Sequence, residues 1–162
     1  MLLALALVAA LGCGLMAGTF FAFSVFVMRA LGRLPAAQGI AAMQSINIAV
    51  VNPWFMTVFL GTGCVCALTM VLALTHWRDP AAGYLLAGAA LYLVGTVLVT
   101  MACNVPLNNA LAALAPASEE GADLWANYLR TWTQWNHVRT LAGLGAACLF
   151  SMALASGGGN FF

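Results

Sequence analysis

The chain has 162 residues and a mass of 16.9 kDa, with five Lys+Arg, four Asp+Glu, 64% hydrophobic residues and a mean hydropathy of +1.00. A soluble domain of this length carries about 40 charged side chains, and nine cannot cover so apolar a chain in water. A soluble globular enzyme, a disordered chain and, with net charge +1 and no lysine, a nucleic-acid binder are excluded.

The charges cluster at Arg29 and Arg33, at Arg78 and Asp79, and over Glu119, Glu120, Asp123, Arg130 and Arg139. A spanning helix takes about 20 apolar residues. The uncharged runs accommodate four, at about 2–28, 53–76, 82–103 and 137–156. The expected fold is all-α: a single domain over 1–162, a four-helix transmembrane bundle in a lipid bilayer, with short amphipathic helices at one membrane face.

The first run has no basic start and outlasts a cleavable signal segment, despite Ala10-Leu11-Gly12-Cys13, so it is expected to be a mature span. Ala10, Gly14, Gly18 and Ala22 recur at four-residue spacing and predict its packing face. Residues 35–51 predict an amphipathic helix with Ile40, Met43, Asn47 and Val51 on one side. Asn52-Pro53 reads as N-cap and first residue of the second span. The turn at 77–81 is tight. From Asn104 a long connection is expected, turning at Pro116 into a helix over 118–136 that runs on into the fourth span. Its predicted apolar face is Leu124, Tyr128, Trp132 and Trp135, and Gly143, Ala147, Ser151 and Ala155 form a second stripe of small residues. The tail at Gly157-Gly158-Gly159 is expected to fray.

Four spans put the first and third connections on one side, with Arg29, Arg33, Arg130 and Arg139. The arginine bias predicts that side to be cytoplasmic and both termini outside, in a bacterial inner membrane. The same side collects Asn47, Asn52, Asn104, Asn108, Asn109, Asn136, His137 and Arg139. A polar end over an apolar interior suits an apolar small molecule with a few polar atoms.

Only about 17 residues separate Arg139 from Gly157, roughly 26 Å of helix, so the fourth span must draw 136–139 into the membrane edge. Trp132, Asn136, Arg139 and Gly143 share one helix face, expected to point inward. Asn104 and Asn108 are the expected partners of Arg139; the alternative is a guanidinium that snorkels to headgroups. His137 is the histidine at this end and a candidate general base.

Cys13, Cys64, Cys66, Cys103 and Cys148 form no C-x-x-C and read as packing residues. No metal site is expected: the two histidines lie at opposite ends and no carboxylate lies in a span.

Asn104-Val-Pro106-Leu-Asn108-Asn109 followed by Trp132-Thr-Gln-Trp135-Asn136-His137-Val-Arg139 resembles the anthrone oxygenase (DUF1772) family. The four-span layout and the Asn-Pro at span two extend the resemblance over nearly the whole chain. It implies cofactor-independent oxidation of an anthrone-type aromatic, with O2 as co-substrate. For that chemistry His137 is the candidate base, Arg139 with Asn104 or Asn136 the oxyanion donors, and Trp132 or Trp135 the stacking wall; Asn108 completes the candidate catalytic set, and Asn47 and Asn52, from the same polar end, the substrate-binding one. The alternative is a non-catalytic membrane protein that binds a small molecule or assists assembly. A transporter is disfavoured by the lack of intramembrane carboxylates, and a homo-oligomer is left open.

Overall fold

The computed structural model describes residues 2–157, all of them in helices or short connections. Contiguous helical stretches form five rods: α1 (Leu2–Leu31), α2 (Ala36–Ala49), α3 (Pro53–Thr75), α4 (Ala82–Ala112) and α5 (Glu119–Gly157). Rods α1, α3, α4 and α5 are long and apolar enough to cross a membrane, and no strand occurs among the described residues. The chain is an integral membrane four-helix bundle. The tail beyond Gly157 lies outside the described residues.

The spans form a ring in the order α1, α3, α4, α5, closed by the long contact of α5 with α1. Trp54 and Trp77, 85% and 69% exposed, stand at the two ends of α3. About 23 residues at ~1.5 Å each separate them, roughly 35 Å. Amphipathic aromatic rings favour membrane–water boundaries, so these two mark the faces of the bilayer. At the Trp54 face α1, α4 and α5 continue past the membrane, and with α2 they build a cap. Met28, Leu31, Ile40, Met43, Leu111, Trp125, Tyr128 and Trp132 form its core.

Several local expectations hold. Asn52 caps α3: its Oδ1 accepts from the Phe55 N–H at 3.0 Å, with Pro53 in the first turn. The pre-span helix and the fourth span are one continuous rod. Trp132, Asn136, Arg139 and Gly143 all face inward.

Others are corrected. The α1 stripe is not the packing face: half-buried Ala10 touches the core, but a Cβ on Gly14 or Gly18 would meet nothing within 4 Å. The buried face is instead Ala6, Ala9, Cys13, Met16, Ala17 and Phe20. A strict four-residue spacing advances about 40° per step on an α-helix and so winds off any straight seam. On α5 the same drift leaves Gly143 against Ala17 but turns Ser151 and Ala155 outward, while Ala146, Phe150 and Ala153 pack. Before the span, Gly121, Trp125, Tyr128 and Trp132 are buried, whereas Leu124 is half-buried and Trp135 is exposed. Val51 ends outside α2 and is exposed. Cys13 and Cys66 are buried, but Cys64 and Cys148 face outward; all five are free.

The third span does not end near Cys103. It continues through Pro106 to Ala112, and π-helical turns occupy Leu91–Leu98 and Thr100–Asn104. Pro106 has no N–H and would clash with the carbonyl four residues back in an α-helix. The wider turn before it, in which the Val105 N–H bonds to the Thr100 carbonyl, relieves that conflict. Gln44 of α2 then donates to the Leu111 and Leu114 carbonyls at 2.9 and 3.0 Å, tying α2 to the end of α4 and the turn that follows it.

Candidate functional site

Rods α3 and α4 pack along the 82–98 stretch and part beyond it. Between them, under α2, lies a cavity of about 210 Å³. Its walls are mostly apolar: Phe20 and Phe23 of α1, Phe55, Met56 and Phe59 of α3, and Met43 and Ile46 of α2. Its polar lining consists of Thr19, Asn47, Thr100, Asn108, the Trp132 indole and Arg139.

Arg139 is 4% exposed. It points into the bundle, so the snorkelling alternative is set aside. One terminal nitrogen donates to Thr100 Oγ1 at 3.2 Å and the other to Asn136 Oδ1 at 2.6 Å. The expected partners were in the 104–109 segment; Thr100 lies one turn earlier. The guanidinium carbon is 4.3 Å from the centre of the Phe20 ring and 5.0 Å from that of Trp132, both within cation–π range. Its Nε is buried with no acceptor. A guanidinium has five N–H donors, and two are used. Its charge faces no carboxylate among the described residues that line the cavity.

Asn108 is oriented by chemistry. Its Oδ1 accepts from the Tyr128 hydroxyl at 2.8 Å and the Trp132 indole N–H at 2.9 Å. Indole nitrogen only donates, so the amide cannot be reversed and its NH2 group is left for another acceptor. Asn47 Nδ2, also on the cavity, is buried without a partner.

Two expected site residues act one step removed. Asn136 is fully buried and donates to the Phe20 carbonyl and to Ser24 Oγ, each at 2.7 Å, tying α5 to α1. Asn104, also buried, donates to the Trp132 carbonyl at 3.2 Å. Neither lines the cavity. Asn52 is occupied as the cap of α3, and Trp135 is turned out of the cap. His137 is exposed and stands outside the cavity. Its position follows from helix geometry: one residue past Asn136 is about 100° around the axis. The geometry thus joins Arg139, Asn108, Trp132 and Asn47, and leaves His137, Trp135 and Asn52 apart.

Thr100, Phe20, Phe23 and Tyr128 were not anticipated as site residues. Tyr92, Thr96, Thr100 and Asn104 recur every four residues, and Tyr92, Thr96 and Asn104 are buried. On an α-helix that spacing drifts, whereas the i→i+5 bonding of a π turn accommodates it. The four-residue recurrence was the available signal.

The site is an apolar chamber with surplus donors and an unneutralised cation. It suits a ligand that is largely apolar and carries an acceptor oxygen, above all one that becomes anionic. A family model described as anthrone oxygenase matches residues 55–149, which include Asn104, Asn108, Trp132, Asn136 and Arg139. No curated protein and no solved structure matches the chain.

Proposed function

The chain belongs to the anthrone oxygenase family, and from that premise we propose that the Arg139 cavity oxidises an anthrone-type aromatic with molecular oxygen. The observation that carries this reading is the set of unused donors on a buried, carboxylate-free guanidinium, beside the free NH2 of Asn108. Such donors bind an oxyanion more strongly than the neutral carbonyl from which it forms. They would hold the oxygen of an anthrone and favour loss of the acidic proton between its rings.

The resulting carbanion–enolate is electron-rich and reduces oxygen. A C–O bond forms at the former C–H carbon, and the displaced proton completes a hydroperoxide. Loss of water, from the remaining hydrogen on that carbon and the terminal hydroxyl, leaves the second carbonyl. One anthrone and one oxygen molecule thus give one quinone and one water. In this reading oxygen is the co-substrate and no resident cofactor takes part. Phe20, Phe55 and Trp132 supply flat apolar walls for the rings. No histidine or carboxylate lines the cavity, so the proton acceptor is not one of its side chains.

That same lack of a histidine or carboxylate to act as general base favours a second reading, a non-catalytic binder of an anionic aromatic. Oxygen uptake by the purified protein, over a panel of anthrones and quinols, separates the two. Stoichiometric quinone formation that is lost in Arg139→Ala supports catalysis; saturable binding without oxygen uptake supports the binder. The arginines on the cap side, Arg29, Arg33 and Arg130, support a cytoplasmic cap at a bacterial inner membrane.

A further inference from the structure

We infer that the cavity takes its ligand sideways from the bilayer, through the gap between α3 and α4 flanked by Val51 and Met101. The polar donors lie at the inner end, where Arg139 is 4% exposed, while of the lining residues Val51 and Met101 are the two exposed on the outer surface, at 70% and 58%. The mouth is therefore apolar and the chamber polar at its depth.

The surface onto which the mouth opens is identifiable. Leu91, Val94, Leu98 and Met101 are all exposed and recur at spacings of three and four along α4. That is one continuous apolar stripe, the lipid-facing side of a spanning helix. Met101 is both its last member and a wall of the cavity. On the other flank Val51 adjoins Ile48 and Trp54, 77% and 85% exposed, an apolar cluster suited to the boundary of headgroups and acyl chains. Aqueous access from above is obstructed by α2, whose Met43 and Ile46 roof the chamber.

The ligand class follows from this layout. It is a flat molecule that partitions into the bilayer and leads with an acceptor oxygen, so that the oxygen reaches Arg139 and Asn108 while the rings trail toward Met101. The chamber of about 210 Å³ is smaller than the ~300 Å³ at the low end of ligand pockets, so part of a three-ring molecule would remain in the mouth. This inference deepens the proposed function, but it requires only that the cavity be a ligand site, whatever the ligand.

The test uses the full chain in phosphatidylcholine vesicles and two photolabels: an uncharged aryl diazirine dissolved in the bilayer and a sulfonated one confined to water. The expected result is carbene insertion from the uncharged label at Phe55, Met56 or Trp132, and none from the sulfonated label. Met101→Trp should cut insertion at those residues by about tenfold or more, as obstruction of a docking route slows association. Val94→Trp, on the same stripe but away from the mouth, should leave it unchanged. Surface labelling of the α1 and α3 lipid faces reports folding, and Val51→Trp replaces Met101→Trp if that variant fails to fold. Equal chamber labelling by the sulfonated reagent, or undiminished labelling in both mouth variants, would overturn the inference. Labelling through the mouth that excess anthrone does not suppress supports the route and counts against the anthrone reading, so the two fail separately.

Discussion

Asn136 Oδ1 accepts a 2.6 Å hydrogen bond from Arg139, one turn along α5, while the same amide donates to the Phe20 carbonyl and Ser24 of α1. The cation is thus held through a neutral group braced on a neighbouring helix. A carboxylate at position 136 would hold it as firmly but would cancel the charge offered to a ligand. Asn136 orients the guanidinium without consuming its electrostatic value.

Arg139→Gln should therefore separate binding chemistry from packing. It removes the charge and most donors while filling similar space. If the cavity stabilises an oxyanion, oxygen uptake with an anthrone should fall by about 10²-fold or more. The thermal midpoint should fall modestly, because Asn136 Oδ1 and Thr100 lose a partner at a cost of about 1–3 kcal/mol for a buried group left unpaired. Unchanged turnover in a folded protein would remove Arg139 from the chemistry.

His137→Ala distinguishes the expectation from sequence from the one based on geometry. A general base contributes about 10²–10⁴-fold, and the sequence points to this residue as the histidine at the polar end. Its side chain is exposed and outside the cavity, so turnover should be retained and stability should change by less than ~0.5 kcal/mol. Oxygen uptake and melting on the same preparation decide the matter.

Asn52→Ala should act through α3 alone. Loss of its bond to the Phe55 N–H should cost about 1 kcal/mol, the usual value of an N-cap. Ligand affinity, measured by quenching of tryptophan fluorescence with anthraquinone, should remain within about threefold. A large affinity loss at unchanged stability would return Asn52 to the binding site.

Gln44→Leu probes the roof. It leaves the Leu111 and Leu114 carbonyls without their side-chain donor, so the end of α4 should fray, at a cost of about 1–3 kcal/mol. Hydrogen exchange should rise in residues 108–114 and stay unchanged in the 55–73 stretch of α3. Uniformly increased exchange would mean that α2 supports the whole bundle and not only this end.

The existence of four spans, the Asn52 cap and the inward face of α5 were legible because each rests on a local rule: apolar length, an Asn-Pro start, the angle between helical positions; the far end of the third span was not. Arg139 was legible because too little helix follows it to leave it outside the membrane. Its partner was not. Thr100 faces Arg139 along a rod containing π turns, and the choice between i→i+4 and i→i+5 bonding depends on tertiary packing. The small-residue stripe of α1 is not a packing seam for a related reason: four-residue spacing on an α-helix is a spiral and not a straight line. His137 shows a different limit. Membrane depth places it with Asn136 and Arg139, but rotation about the axis separates it from them, and both coordinates are needed to assign a site.

The spacing of Trp54 and Trp77 has a bearing on the lipids around the protein. Their separation of roughly 35 Å exceeds the ~30 Å hydrocarbon thickness of an average bilayer, so α3 tilts in a thin membrane and straightens in a thick one. The cavity hangs from the Trp54 end of that helix. Acyl-chain length would then set how deeply Val51 and Met101 are immersed, and with it the concentration of dissolved aromatic that the mouth samples. Two bilayers that differ only in chain length would present the same protein with different supplies of the same ligand.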